Sequence, residues 1–338
     1  MEDYVIMSIQ ISFILPCYNV ERYIGDCLES IYAQDLAEEE FEVICVNDCS
    51  TDGTREVILS KQALHSNLIL LDQPRNMYSG AARNRGLEVA SGDYIWFVDS
   101  DDMVKPNMAK HLLDLAYQDN LDLLFFNFDE FIDGKPDAFI EREDIFRESG
   151  VEPGSEFVER HFDCKLGKLS LLWLRLFKRS LILDNKIAFP DLYISQDCPF
   201  AWETLLLAKR VKAIKERCYN YRSNPTSITA NKNTAKKMAV WSFQFPFQLL
   251  RIKKRVSGVV PERIIEELER SIRYEVNQFV ERYRNLPQSE RHAYYISLRN
   301  AEGWYSTFSD YLTRKNHLIY YFSLLGERFF NIVNRKNN

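Results

Sequence analysis

Three aspartates within four residues follow a short apolar run in this chain of 338 residues. The run is Ile-Trp-Phe-Val over 95–98, and it continues as Asp99-Ser100-Asp101-Asp102. Such a run is typical of a strand buried on both faces, and ligands of open α/β sheets bind beyond the carboxyl ends of these strands. Because clustered carboxylates repel one another, they favour a divalent cation such as Mg²⁺ or Mn²⁺ that also holds a phosphate. The alternative is that Asp101 or Asp102 caps a helix that begins near Pro106.

The elements around this cluster alternate between strand and helix, which predicts an α/β fold with a Rossmann-like, mostly parallel sheet flanked by helices. The predicted strands are Ile11–Leu15, Phe41–Val46, Leu68–Leu71, Tyr94–Val98 and Leu121–Phe128. The predicted helices lie near Tyr23–Ile31, with Asn19 as a candidate cap, and at Ser79–Ala90 and Asn107–Gln118. Polar clusters follow the first, second and fourth strands, so we expect them to converge on one ligand at one edge of the sheet.

Composition and charge set the broad class of the protein. Hydrophobic residues make up 46% and charged residues 27%, which describes a globular protein with an ample core, and the length favours about two domains. Residues 1–230 carry 24 basic and 39 acidic side chains, whereas residues 231–338 carry 19 and 10. This asymmetry predicts an α/β domain over 1–230 and a separate helical C-terminal region over 231–338.

Other features narrow the function classes. Seven cysteines without a Cys-x-x-Cys pair indicate reduced thiols and a cytoplasmic protein. The acidic start lacks the apolar segment of a secretory signal, and no apolar run is long enough for a membrane-spanning helix. Neither the Gly-x-Gly-x-x-Gly motif nor a P-loop follows the first strand, which disfavours dinucleotide and P-loop binding. We expect no nucleic-acid partner.

Four blocks in the first 130 residues stand out together: Ser12–Asn19, Val46–Thr54, Gly80–Leu87 and Asp99–Asp102. In their order and spacing they resemble the family 2 glycosyltransferases, which have the GT-A fold. A looser resemblance continues through Trp173–Ser180, Gln196–Phe200 and Tyr219–Ser223. The resemblance implies that residues 1–230 form a GT-A domain that binds a nucleotide sugar.

The resemblance also implies which residues bind the donor. The nucleotide base, usually uracil in the family, would be held by Pro16, Tyr18, Asn19 and Asp48. This is chemically sensible, because a carboxylate accepts a hydrogen bond from the imide N–H and an aromatic ring stacks on or lines the base.

For the diphosphate, the resemblance implies that the Asp-x-Asp motif of Asp99 and Asp101 holds the ribose and a divalent ion, Mn²⁺ or Mg²⁺. We expect Asp101 to coordinate the ion directly. Arg83 is a candidate donor of hydrogen bonds to the diphosphate, and the alternative is a surface ion pair on an amphipathic helix.

The family places its catalytic base in a Glu-Asp pair that opens a helix. Here the pair is Gln196-Asp197, so the first acid is missing. We expect Asp197 to be the base, and the loss of a like-charged neighbour should leave its pKa less raised. The alternatives are that Asp197 caps a helix over Pro199–Ala208 and that Asp191 or Glu203 is the base. One base and direct displacement imply inversion at the anomeric carbon.

The C-terminal region is predicted to be helical. Apolar residues recur at helical spacing, and Pro287 is predicted to interrupt the pattern: Ile265, Leu268, Ile272, Val276, Phe279 and Tyr283. The apolar and aromatic segment Leu318–Phe330 has basic flanks. It is interpreted either as a helix packed on its neighbour or as peripheral contact with the inner face of a membrane, which would suit a lipid-linked acceptor.

Processive members of the family carry Gln-x-x-Arg-Trp. The nearest match here, Gln248–Ile252, lacks the Trp and lies in a predicted helix, so we expect addition of a single sugar. The leading hypothesis is therefore a metal-dependent, inverting glycosyltransferase that uses a UDP-sugar and a glycan or lipid-linked glycan acceptor. Two alternatives stay open: a nucleotide-sugar-binding protein without turnover, and a nucleotidyltransferase, although Pro16–Asn19 is not the Gly-rich basic loop that the latter needs.

Overall fold

A computed structural model of the chain describes residues 8–161, 169–192, 195–223, 235–286, 307–314 and 316. The chain divides into two compact units, Met1–Pro225 and Thr226–Asn338. The first unit is an α/β structure, and the described part of the second is helical.

The first unit is built on one sheet. Its strands are β1 (Ile11–Cys17), β2 (Phe41–Asn47), β3 (Leu68–Asp72), β4 (Tyr94–Phe97), β5 (Met103–Val104), β6 (Leu123–Ile132), β7 (Lys135–Ile140), β8 (Arg175–Lys178) and β9 (Val211–Ser223). They follow the order β3-β2-β1-β4-β8-β6-β9-β5, with β7 paired to β6. All seven residues of β2 are buried, as expected for a strand covered on both faces.

Helices cover this sheet. They are α1 (Ile24–Tyr32), α2 (Thr54–Gln62), α3 (Tyr78–Val89), α4 (Met108–Gln118), α5 (Gly154–Arg160), α6 (Arg179–Asp184) and α7 (Asp197–Leu207). Helix α1 buries Ile24, Cys27, Leu28 and Ile31, which lie on one face at three- and four-residue steps. The predicted α/β sheet with flanking helices is confirmed.

The strand order creates the crevice in which a ligand can bind. Strands β3, β2, β1 and β4 are parallel neighbours, and the chain moves from β1 to β2 and β3 before it returns to β4 on the other side of β1. This reversal is a topological switch point, at which loops diverge beyond the carboxyl ends of the strands. Beyond β4 the sheet is mixed, because β8 runs antiparallel to both β4 and β6.

The structure corrects the predicted helix caps. Helix α1 is preceded by Tyr23, with no side-chain cap, so the assignment of Asn19 as its cap is wrong. Helix α4 is preceded by Asn107 rather than by Asp101 or Asp102. Helix α7 begins at Asp197 itself, so this residue is not the cap of a helix starting at Pro199. These polar side chains are therefore left for tertiary contacts.

The described part of the second unit contains α8 (Ala235–Val256) and α9 (Glu262–Arg284), which pack together. An ion pair between Lys253 and Glu269 and a ring contact of 5.4 Å between Phe243 and Phe279 connect them. The six predicted apolar positions of α9 are all buried. The segment Gln248–Ile252 lies inside α8, which confirms its predicted helical setting.

Two C-terminal predictions lie outside the described residues. These are the interruption at Pro287 and the amphipathic segment Leu318–Phe330. None of the helices in the described ranges contains a stretch both apolar and long enough to span a bilayer.

Candidate active site

The loops after β1 and β2 are joined at the edge of the sheet. The backbone N–H of Asp48 donates to the carbonyl of Cys17 at 2.8 Å, and the side chain of Asn19 accepts from the backbone N–H of Thr51 at 2.8 Å. Asn19 has a φ of 52°, a left-handed conformation that asparagine tolerates better than most residues. Asn19 therefore supports the geometry of the loop that presents Tyr18.

Asp48 and Tyr18, the two predicted contacts of the nucleotide base, differ in exposure. Asp48 is 2% exposed, and its carboxylate accepts from the Gln73 side chain at 2.9 Å and the Met77 backbone N–H at 2.7 Å. Desolvation raises the pKa of Asp48, while the backbone N–H groups of Met77 and Tyr78 oppose the rise. Tyr18 is 41% exposed, so its ring is available for contact with a planar ligand.

The acidic loop after β4 is anchored at both ends. The Ser100 hydroxyl donates to the carbonyl of Pro16 at 2.8 Å, which joins this loop to the end of β1. Asp102 is 1% exposed and accepts from the Tyr219 hydroxyl at 3.0 Å and the Arg222 backbone N–H at 2.7 Å. Burial raises the pKa of Asp102 well above its ordinary value. Asp102 thus anchors the loop rather than facing a ligand.

Asp101 lies in a different environment from Asp102. Desolvation and the charge of Asp99 raise the pKa of Asp101 to about 6, and Arg222 opposes the rise only in part. Arg222 donates to the backbone carbonyl of Asp101 at 2.7 Å rather than to its carboxylate. A carboxylate held in this way is stabilised by an additional cation.

This environment predicts a pH dependence of stability. The pKa of Asp101 is about 6 in the fold and about 4 in an unfolded chain. The free energy of unfolding is therefore highest below pH ~4, and it falls as the pH rises through ~6. The expected loss of stability is about 3 kcal/mol, and Asp101→Asn should remove this pH dependence. Urea unfolding of both proteins in metal-free buffer across this range measures the effect. Equal pH slopes for the two proteins would contradict it.

Arg83 is the centre of the site. Its guanidinium donates to Asp99 at 2.8 Å and to Asp197 at 2.7 Å, and its side chain is only 5% exposed. Arg83 comes from α3, Asp99 from the loop after β4 and Asp197 from the start of α7. The predicted alternative for Arg83, a surface ion pair, does not fit this burial. Arg83 instead balances two carboxylates that are 114 and 16 residues away in the sequence.

The three candidate bases differ in accessibility. The Asp197 side chain is 40% exposed, whereas Glu203 is fully buried in α7 and Asp191 lies exposed before the helix. Desolvation raises the pKa of Asp197, Arg83 opposes the rise, and the charge of Asp99 adds to it. Arg83 pairs with Oδ1 of Asp197. Asp197 is therefore oriented by its ion pair with Arg83, and its side chain is also exposed to an incoming group.

Gln196 has a role that the sequence did not reveal. Its side-chain oxygen accepts from the Gly80 backbone N–H at 2.6 Å and from the Ser79 hydroxyl at 3.2 Å, and its amide nitrogen donates to the carbonyl of Leu192. Tyr219 and Arg222 were also missed as supports of the acidic loop. Their partner Asp102 is more than a hundred residues away in the sequence, so no local pattern could have identified the contact.

The donor set fits a cation that a phosphate helps to bind. Within the part of the chain that the structure describes, no cluster of three or more His, Cys, Asp or Glu side chains could hold a metal ion. Asp99 and Asp101 supply two hard oxygen donors, and Mg²⁺ sites commonly combine one or two carboxylates with substrate phosphates. The residues present therefore fit a cation bound together with a diphosphate.

The fold and the site together define an α/β protein with a ligand crevice at the switch point of its sheet and acidic side chains beside it. Residues 12–176 match the family described as Glycosyl transferase family 2. This part of the chain is therefore similar to the family 2 glycosyltransferases.

Curated relatives agree with this assignment. The chain is 33% identical over 224 residues to the putative glycosyltransferase EpsH of Bacillus subtilis (strain 168). This match covers 64% of this chain and 62% of the relative. The chain is also 30% identical over 218 residues to a poly(ribitol-phosphate) beta-glucosyltransferase of Bacillus spizizenii. That match covers 63% of this chain and 32% of the relative. The chain thus spans between about a third and two thirds of the length of these relatives.

Solved structures show the same fold. The structure of S. aureus TarS 1-349 in complex with UDP-GlcNAc superposes with a TM-score of 0.62 at 21% identity, covering 89% of this chain and 80% of that chain. The mannosyltransferase PcManGT from Pyrobaculum calidifontis, in complex with GDP-Man and Mn²⁺, superposes with a TM-score of 0.52 at 17% identity. This superposition covers 94% of this chain and 87% of that chain. The predicted GT-A fold is confirmed by the likeness to TarS.

Proposed function

We propose that this protein is a glycosyltransferase that moves a single sugar from a nucleotide-diphosphate donor, with a UDP-sugar as the expected donor, to an acceptor hydroxyl with inversion. The observation that carries the proposal is the Arg83 bridge. One buried guanidinium contacts both Asp99, the expected donor-binding carboxylate, and Asp197, the expected base. This shared contact supports the proposal that the donor end and the base face the same reacting carbon.

The reaction follows from this arrangement. The acceptor hydroxyl attacks the anomeric carbon, and its proton passes to Asp197 as the new C–O bond forms. The bond between the anomeric carbon and the diphosphate oxygen breaks, and the nucleoside diphosphate leaves with the electron pair. A single displacement inverts the configuration at carbon. Arg83 keeps Asp197 oriented while the charge on the leaving group grows.

The donor pocket is assigned to the residues at the ends of β1, β2 and β4. Tyr18 would contact the base and Asp48 its imide N–H, with Pro16 and Asn19 shaping the loop around them. Mn²⁺ or Mg²⁺ would be held by Asp99 and Asp101 with the diphosphate oxygens, and when bound it neutralises the leaving group. The TarS complexes with UDP-GlcNAc and UDP support uridine as the base, and the Mn²⁺ complex of PcManGT supports a cation.

The acceptor and the location are proposed on coarser grounds. The acceptor would be a hydroxyl of a glycan or a lipid-linked glycan, and the names of two relatives specify another polymer that carries hydroxyl groups, poly(ribitol-phosphate). A cytoplasmic location is proposed from the sequence, because its seven cysteines include no Cys-x-x-Cys pair. Peripheral contact with the inner membrane face would come from the basic C-terminal segment.

The proposal predicts a specific pattern of ligand stabilisation. A ligand that binds only the folded state at a hundred times its Kd stabilises it by about 2.7 kcal/mol. We expect UDP with Mn²⁺ to raise the melting temperature more than either alone, and more than ADP with Mn²⁺. A panel of nucleoside diphosphates, with and without Mn²⁺, measures this in one thermal-shift experiment. No shift with any nucleotide would overturn the donor assignment.

A further inference from the structure

We propose that Gln196 is a positioning residue: its side-chain amide ties the start of α7 to the start of α3 and so sets Asp197 against Arg83. This inference rests on the proposed function of Asp197 as the base. Asp197 is the next residue after Gln196, and Arg83 lies one helical turn after Gly80. The hydrogen bonds of Gln196 therefore act on both elements that carry the ion pair.

The contacts of Gln196 are specific to an amide. Its oxygen accepts from Gly80 and Ser79, whereas its nitrogen donates to the Leu192 carbonyl. An ionised glutamate could accept from Gly80 but would place an oxygen against the Leu192 carbonyl. It would also add a negative charge beside Asp197, which is paired with Arg83. A neutral amide thus makes the same connection without changing the charge of the site.

Gly80 is shaped for this contact. A Cβ atom at residue 80 would lie 2.8 Å from both Cδ and Oε1 of Gln196. Gln196 is 4% exposed, so its amide is enclosed by protein. The close packing of glycine against glutamine keeps the two helix ends at a fixed separation.

The test compares Gln196→Ala and Gly80→Ala, because the first removes the amide and the second displaces it. We expect either variant to lower kcat about 10- to 100-fold, the cost of a misplaced catalytic group, with the KM for the donor unchanged within about two-fold. Alanine is a good helix former, so Gly80→Ala does not weaken α3 by propensity. Unchanged kcat in both variants would overturn the proposal.

The matched control is Gln34→Ala. Gln34 is 7% exposed, and its amide likewise bridges backbone groups, donating to Ser30 and Lys105 and accepting from Met108 and Ala109 at the start of α4. It makes no contact with Arg83 or Asp197. We expect Gln34→Ala to lower the melting temperature as Gln196→Ala does, but to keep kcat. An equal loss of kcat in the control would reduce Gln196 to a general stabiliser.

A second measurement separates this inference from the proposed function. Melting temperatures of Gln196→Ala, Asp197→Asn and the double variant form a cycle that needs no turnover. If the melting temperature of the double variant falls by less than the sum of the two single decreases, the coupling between Gln196 and Asp197 is supported. This holds even if the protein turns over no donor, and then only the proposed function fails. Additive shifts would overturn the coupling whatever the activity.

Discussion

Asp197→Asn is expected to lower turnover about a thousand-fold while donor binding stays within about two-fold of wild type. Asparagine has nearly the same shape and can still accept from Arg83, but it cannot take the proton of the acceptor hydroxyl. Release of nucleoside diphosphate in the presence of Mn²⁺, donor and acceptor measures turnover. Calorimetric titration with UDP measures binding. Wild-type turnover in the variant would remove Asp197 as the base.

Asp191→Asn is the control for this variant. Asp191 was the exposed alternative base, and it lies six residues earlier in the loop that leads to α7. We expect this substitution to leave turnover within about two-fold of wild type. A thousand-fold loss in Asp191→Asn with an active Asp197→Asn would exchange the two assignments.

The direction of the pH profile follows from the same residue. Desolvation raises the pKa of Asp197 above the ordinary value for an aspartate, and a base must be ionised to accept a proton. Turnover should therefore fall as the pH drops through this raised pKa. Because Gln196 adds no negative charge beside Asp197, we expect the pKa of Asp197 to be raised less than it would be with a glutamate at position 196.

Arg83→Met is expected to abolish turnover and to lower the free energy of unfolding by about 2 kcal/mol. The variant leaves Asp99 and Asp197 without their shared cation. The value lies below that for a fully buried pair, because the side chains of these aspartates are 32% and 40% exposed. Without Arg83 the pKa of Asp197 rises further, so the variant should regain stability as the pH falls. Urea unfolding at several pH values measures both effects.

Arg85→Met provides a matched control on the same helix. Arg85 pairs with Glu88 at 2.6 Å, but their side chains are 50% and 61% exposed. Exposed pairs of this kind contribute about 0.5 kcal/mol or less, so stability and turnover should both be retained. If Arg85→Met were as damaging as Arg83→Met, the effect would be due to loss of helix charge rather than to the bridge.

The ends of the strands were predictable because they depend on local patterns. Apolar runs followed by polar clusters placed Asp48 and Asp99 after β2 and β4, and the alternation of elements brought both to one edge. The caps were predicted less well. Asn19 has the chemistry of a helix cap, but its side-chain oxygen accepts from the backbone N–H of Thr51 instead of from a helix N–H. Helix propensity alone could not show which of these two donors the side chain would choose.

The sequence by itself determined the class of fold, the order of the polar clusters and the residue types at each strand end. Only the tertiary structure decided which acid is buried in support of the loop and which acids stay partly exposed. Asp101 and Asp102 are neighbours, yet Asp102 is buried against Tyr219 and Arg222, whereas the carboxylate of Asp101 has a pKa of about 6 because of desolvation and the charge of Asp99. The reason is physical: burial and charge balance arise from partners that are distant in the sequence, such as Arg83 with Asp197, and their contacts leave no local pattern.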